Sequence, residues 1–135
     1  MKISAATLGR PDRLTLLLWV SAASLFATLP HSVEDFANGT AARFGLAVLS
    51  AAFGLAALFA AQLLGTGLAM RGRRTGYLLL GAVGLVWVAG ALLDHGSELL
   101  NPGWRSGLIS VLLVWAILLT QGAILVLAGL GLRRQ

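Results

Sequence analysis

Four apolar runs separated by short polar breaks organise the chain: Leu14–Leu29, Phe44–Met70, Tyr77–Leu93 and Gly107–Leu132. Each reads as one membrane-crossing helix. The first run is closed by Pro30 and the last by Arg133-Arg134. At about 1.5 Å per residue the first spans about 24 Å, short of a hydrocarbon core about 30 Å thick. It therefore has to reach back through Arg13 or cross a locally thin membrane. The second spans about 40 Å and can cross with tilt. Ala52, Ala56 and Ala60 form a small-residue stripe along it, and Gly81, Gly84 and Gly90 punctuate the third run. Both features predict close helix packing. The breaks between runs are His31 to Arg43, with the turn signal Asn38-Gly39, then Arg71-Gly72-Arg73-Arg74, then Asp94 to Arg105, with the turn Asn101-Pro102-Gly103. The expected fold is an all-α integral membrane protein, a single four-helix transmembrane domain over residues 1–135.

Composition agrees. The chain is 58% hydrophobic and 11% charged, against about 25% charged in a soluble domain, and its mean hydropathy is +0.87. It has no cysteine, which excludes disulfides, thiolate metal sites and thiol redox chemistry. The net charge of +5 matters less than its placement. Lys2, Arg10, Arg13, Arg71, Arg73, Arg74, Arg133 and Arg134 lie at the amino terminus, the middle break and the carboxyl terminus. The positive-inside rule then predicts both termini in the cytoplasm, in a cytoplasmic (inner) membrane. Basic residues ahead of an apolar run also fit a signal peptide; the first run is expected to be retained as a helix. The basic residues flank apolar runs and match no nucleic-acid motif. The expected surroundings are a lipid bilayer with no nucleic acid, and a homo-oligomer or a larger membrane complex.

The two halves resemble each other. Each runs short helix, acidic break, long helix, arginine stop, over residues of about 13–74 and about 76–134. Arg43-Phe-Gly45-Leu46 matches Arg105-Ser-Gly107-Leu108, and Trp19-Val20 matches Trp87-Val88. A diverged duplication of a two-helix hairpin, in tandem with both units entering from one side, is the expected origin.

The candidate chemistry lies in two segments of one form, His31-Ser-Val-Glu34-Asp35 and His95-Gly-Ser-Glu98. They hold both histidines and both glutamates of the chain. On a helix, positions i and i+3 share a face. Two imidazoles and two carboxylates, brought together by a pseudo-twofold axis, suit Zn²⁺, Mn²⁺ or iron. The predicted metal ligands are His31, Glu34, His95 and Glu98, with Asp35, Asp94, Arg43 and Arg105 as supporting groups around them. Haem offers a second reading, with axial histidines and Arg43 and Arg105 on the propionates. A quinone or lipid headgroup bonded to histidine is a third. The bland alternative is that each His–Glu pair merely caps a short helix, with the arginines paired to the acids.

No ionisable residue interrupts the four runs, whereas ion-coupled transporters usually place one at mid-membrane. Gln62 and Gln121 are read as bonds between helices, with the lining of a neutral path as the alternative, Trp19, Trp87 and Trp115 as packing or ligand-stacking residues, and Trp104 as an interfacial anchor. The chain carries no phosphate loop and no nucleophile–base arrangement, so an enzyme is not expected. The leading expectation is a protein binding a metal ion or small ligand at its external face, as a membrane subunit of a redox or transport assembly. The alternatives are a small transporter or channel with a path between the repeats, and a structural subunit without a site of its own.

Overall fold

The computed structural model describes residues 12–100 and 107–133. The turn at Asn101-Pro102-Gly103, Trp104 and Arg105, and the basic residues Lys2, Arg10 and Arg134, lie outside the described residues. Among the described residues five helices follow one another: α1 Arg13–Ala37, α2 Thr40–Arg43, α3 Val48–Met70, α4 Arg74–Leu100 and α5 Gly107–Leu132. All but α2 are long and apolar enough to cross a membrane, and the architecture is that of a multi-pass membrane protein. Large apolar side chains such as Phe26, Phe53, Leu93 and Leu119 point outward, where lipid would meet them.

Two helices are longer than the apolar runs predict. Pro30 does not end α1, which runs on for 25 residues, about 37 Å. Pro30 is exposed on the outer surface of the helix, and the buried side is held by a ladder of hydroxyls. Ser32 Oγ donates to the Thr28 carbonyl at 2.6 Å, Thr28 Oγ1 to the Ser24 carbonyl at 2.9 Å and Ser24 Oγ to the Ser21 carbonyl at 2.8 Å. Such side-chain bonds support a membrane helix where proline removes an amide donor. Likewise α4 continues through Asp94 to Leu100. Both H-x-x-E segments are therefore helical and sit at helix ends rather than in loops.

In the packing order α1 lies against α5, α5 against α4, and α4 against α3, while α1 and α3 touch little. The α3–α4 turn is tight. A Cβ on Gly76 would collide with the backbone of Leu68 and Ala69, so only glycine lets the helices approach this closely. Gly84 does the same for α4 and α5, where a Cβ would fall 3.0 Å from the Gln121 carbonyl. The alanine stripe behaves differently: Ala52, Ala56 and Ala60 are exposed and pack no helix of this chain.

The interior is layered along its long axis. At the arginine end Leu17, Ala69, Leu80, Ile124 and Ala128 form an apolar layer. Next comes a polar layer, where Gln121 Nε2 donates to Gln62 Oε1 at 3.2 Å and Gln62 Nε2 donates to Ser24 Oγ at 2.7 Å and to the Ser21 carbonyl at 3.1 Å. Ser21 and Thr66 hydroxyls meet at 2.9 Å. The glutamines thus join α1, α3 and α5, as bonds between helices. Ala27, Ala91 and Ile117 form a second apolar layer, with Trp87 against it. The histidines lie beyond it, at the opposite end from the arginines.

Candidate metal centre

The continuation of α1 past Pro30 places His31 and Asp35 one turn apart, on the buried face that already carries Ser24 and Thr28. The continuation of α4 brings His95 to the same point. Both histidines are buried, at 3% and 4% exposure, and their ring centroids lie 5.0 Å apart. Residues 64 positions apart in sequence thus form one cluster.

The cluster has an inner and an outer side. Asp35 stands between the two imidazoles: Oδ2 lies 3.5 Å from His31 Nε2 and Oδ1 lies 3.8 Å from His95 Nε2. Asp94 Oδ2 also approaches His95 Nε2, at 3.5 Å. The glutamates sit on the far side of the rings. His31 Nδ1 faces Glu34 Oε2 at 3.6 Å, and His95 Nδ1 faces Glu98 Oε2 at 3.2 Å. One ligand atom each from His31, Asp35 and His95 falls within 4.8 Å of the others, so these three residues could hold a metal ion.

A short turn completes the site. Gly39, in the left-handed region at φ +72°, reverses the chain after α1 and starts α2. This carries Thr40 back to Asp35, where Thr40 Oγ1 donates to Oδ1 at 3.3 Å. It also carries Arg43 across to α4, where its guanidinium meets Asp94 Oδ1 at 3.1 Å and donates to Thr40. Among the described residues Arg43 is the one arginine or lysine at this end, against the four carboxylates of Glu34, Asp35, Asp94 and Glu98, of which it pairs with Asp94.

A cavity of about 220 Å³ adjoins the cluster, lined by His31, Asp35, His95, Phe44, Trp87 and Ile117. Trp87 meets Phe59 in a tilted ring contact, centroids 5.7 Å apart, and its indole N–H is buried without a hydrogen-bond partner. Leaving such a donor unpaired costs about 1–3 kcal/mol.

Of the predicted site residues, the structure brings together His31, Glu34, Asp35, Asp94, His95, Glu98 and Arg43, while Arg105 lies outside the described residues. Thr40 is not among the predicted site residues, and the sequence singles out Trp87 only together with Trp19 and Trp115, as packing or ligand-stacking residues. Thr40 follows the Asn38-Gly39 turn signal, the one local cue to its position. Nothing in the sequence distinguishes Trp87 from Trp19 and Trp115, yet those two face outward and pack no site. Neither a known protein family, a curated protein nor a solved structure matches this chain.

Proposed function

We propose that this protein binds one divalent transition-metal ion at the outer end of its bundle, through His31, His95 and Asp35. The observation that carries the reading is the convergence of two imidazoles and one carboxylate from helices far apart in sequence. In a tetrahedral centre with bonds of about 2.0 Å, ligand atoms stand about 3.3 Å apart. His31 and His95 approach different oxygens of Asp35, at 3.5 and 3.8 Å, and single ligand atoms of the three residues lie within 4.8 Å of one another, so the side chains draw in around the ion on binding. Two nitrogens and one oxygen suit Zn²⁺, Mn²⁺ or Fe²⁺. Glu98, within hydrogen-bond distance of His95 Nδ1, acts in this reading as an orienting group that presents Nε2 to the ion, and Glu34, 3.6 Å from His31 Nδ1, stands where a small closure would let it do the same. Asp94, held by Arg43, is available as a fourth ligand or as a neighbour of one. The surplus of carboxylates over guanidinium favours a cation, and the 5.0 Å separation of the ring centroids favours a shared ion over a haem macrocycle.

The arginine end belongs in the cytoplasm by the positive-inside rule, which places both termini there and the metal on the external face of the inner membrane. A tandem duplication accounts for the matched glycines Gly45 and Gly107, both in the left-handed region at φ +68° and +80°. Against the transporter reading stand the two apolar layers that cross the interior. The role that fits is a membrane subunit carrying a metal at its external surface.

Titration with Co²⁺, followed by its visible absorption, tests this. The expected result is one saturable site per chain with the intense bands of a low-coordinate N/O centre, absent in His31→Ala and in His95→Ala. Equal spectra in wild type and both variants would refute it.

A further inference from the structure

Charge at the arginine end of the bundle is out of balance. Among the described residues, Arg13 opens α1, Arg71, Arg73 and Arg74 surround the α3–α4 turn, and Arg133 follows α5; all five are exposed. They gather there because the helices that carry them pack there. Leu14 of α1 and Tyr77 of α4 lie against the apolar layer of Leu17, Ala69, Leu80, Ile124 and Ala128. The Tyr77 ring covers Gly131 so closely that a Cβ on this glycine would collide with it. The start of α4, with Arg74, is thereby brought beside the end of α5, with Arg133. In the α3–α4 turn Gly72 takes φ +67°, the Arg71 and Arg73 amides donate to the Leu68 carbonyl, and the Gly72 amide donates to that of Ala69. The turn is closed by its own backbone, and the guanidinium groups take no part in it. Against these five cations stands one side-chain acid, Asp12, and its carboxylate caps α1 by accepting from the Thr15 amide. The other four acids of the chain lie at the histidine end.

We propose that the arginine end is a docking surface for anionic phospholipid, whose phosphates supply the counter-charge that the chain lacks. The cluster lies at the ends of four helices that can cross a membrane, and so at the depth of the headgroups. Every described cation in it is arginine, whose planar fork takes a phosphate through two parallel hydrogen bonds and is more weakly hydrated than an ammonium. Beside the turn Leu64, Met70 and Leu78 are each more than half exposed, an apolar surface on which acyl chains can lie. Phosphate and apolar contact together select a lipid. A soluble polyanion would use the charge and leave the apolar surface bare, and a zwitterionic headgroup would bring its own ammonium into the cluster. Orientation in the membrane requires only that basic residues lie on one side. It does not require five of them to gather around packed helix ends with one acid, already committed as a cap. The surface stands on the membrane reading alone and is independent of a metal at the opposite end.

The test is calorimetric titration of short-chain phosphatidylglycerol and of short-chain phosphatidylcholine into the delipidated full chain in non-ionic detergent. Saturable binding of phosphatidylglycerol, at least about tenfold tighter than that of phosphatidylcholine, is expected, each arginine contributing about fivefold. Raising the salt from about 0.01 M to about 1 M shortens the screening length from about 30 Å to about 3 Å and should erase the preference. The triple variant Arg71→Gln/Arg73→Gln/Arg74→Gln should bind the two lipids alike, whereas Arg71→Lys/Arg73→Lys/Arg74→Lys keeps the charge and should keep most of the preference. Should the triple glutamine variant fail to fold, Arg133→Gln alone should weaken phosphatidylglycerol binding about fivefold. Equal affinity of the wild type for the two lipids, a preference that persists in the glutamine variants, or displacement of the lipid by an equimolar amount of inorganic phosphate would each overturn the proposal. The last result would mark an ion site that acyl chains do not share.

Discussion

At the scale of single residues, the two histidines carry the account, and the sequence points to them directly because almost everything around them is apolar. What it conceals is the division of labour among the acids. The i, i+3 spacing sets Glu34 and Glu98 beside their histidines, but only the meeting of α1 with α4 places Asp35 between the two Nε2 atoms. Metal affinity should fall about 10–100-fold in Glu34→Gln and Glu98→Gln, the usual cost of losing a group that orients a ligand. Asp35→Asn should cost more, by removing an anionic ligand outright; competition with a chromogenic chelator would rank the three. A titration belongs to Asp12, which caps α1. The Thr15 backbone N–H, donating at 2.7 Å, holds its carboxyl below the ordinary value. A depressed carboxylate stabilises the fold above its unfolded value, so the capped end of α1 should loosen only as acid protonates Asp12.

At the scale of elements, the number and order of the membrane helices are legible in the apolar runs, and their ends are not. Pro30 reads as a stop, yet α1 continues because proline on an exposed face leaves the buried hydroxyl ladder intact. The alanines at 52, 56 and 60 read as a packing face and are exposed, because α3 packs mainly on α4, through its other side. The glutamines are legible as partners, since a buried amide in an apolar helix needs one. Their contributions differ. Gln62 bonds to α1 and α5 together, so Gln62→Leu leaves Gln121 with no amide to meet and should lower stability in detergent by about 1–2 kcal/mol. Gln121→Leu removes a side chain whose Oε1 already lacks a partner, and should cost about 0.6 kcal/mol. Thermal unfolding followed by circular dichroism would separate the two.

At the scale of the whole molecule, four spans and a polarised charge distribution follow from composition and arginine placement, whereas the splaying of α1 from α3 does not. Helix divergence is a property of a pair of helices, and a single-chain pattern carries no record of it. The proposed orientation is readily checked, because the chain has no cysteine to remove. A membrane-impermeant maleimide on intact cells should label Ala37→Cys at the histidine end, and should reach Thr75→Cys at the arginine end only after permeabilisation. The reverse pattern would turn the metal site toward the cytoplasm. The central claim is that this end of the bundle holds a metal, and elemental analysis of protein purified in mild detergent without chelator tests it most directly. The account predicts about one transition-metal ion per chain, lost in the His31→Ala/His95→Ala double variant while the helices remain folded. Wild type free of metal after supplementation with zinc, manganese and iron, or metal retained in the double variant, would contradict it.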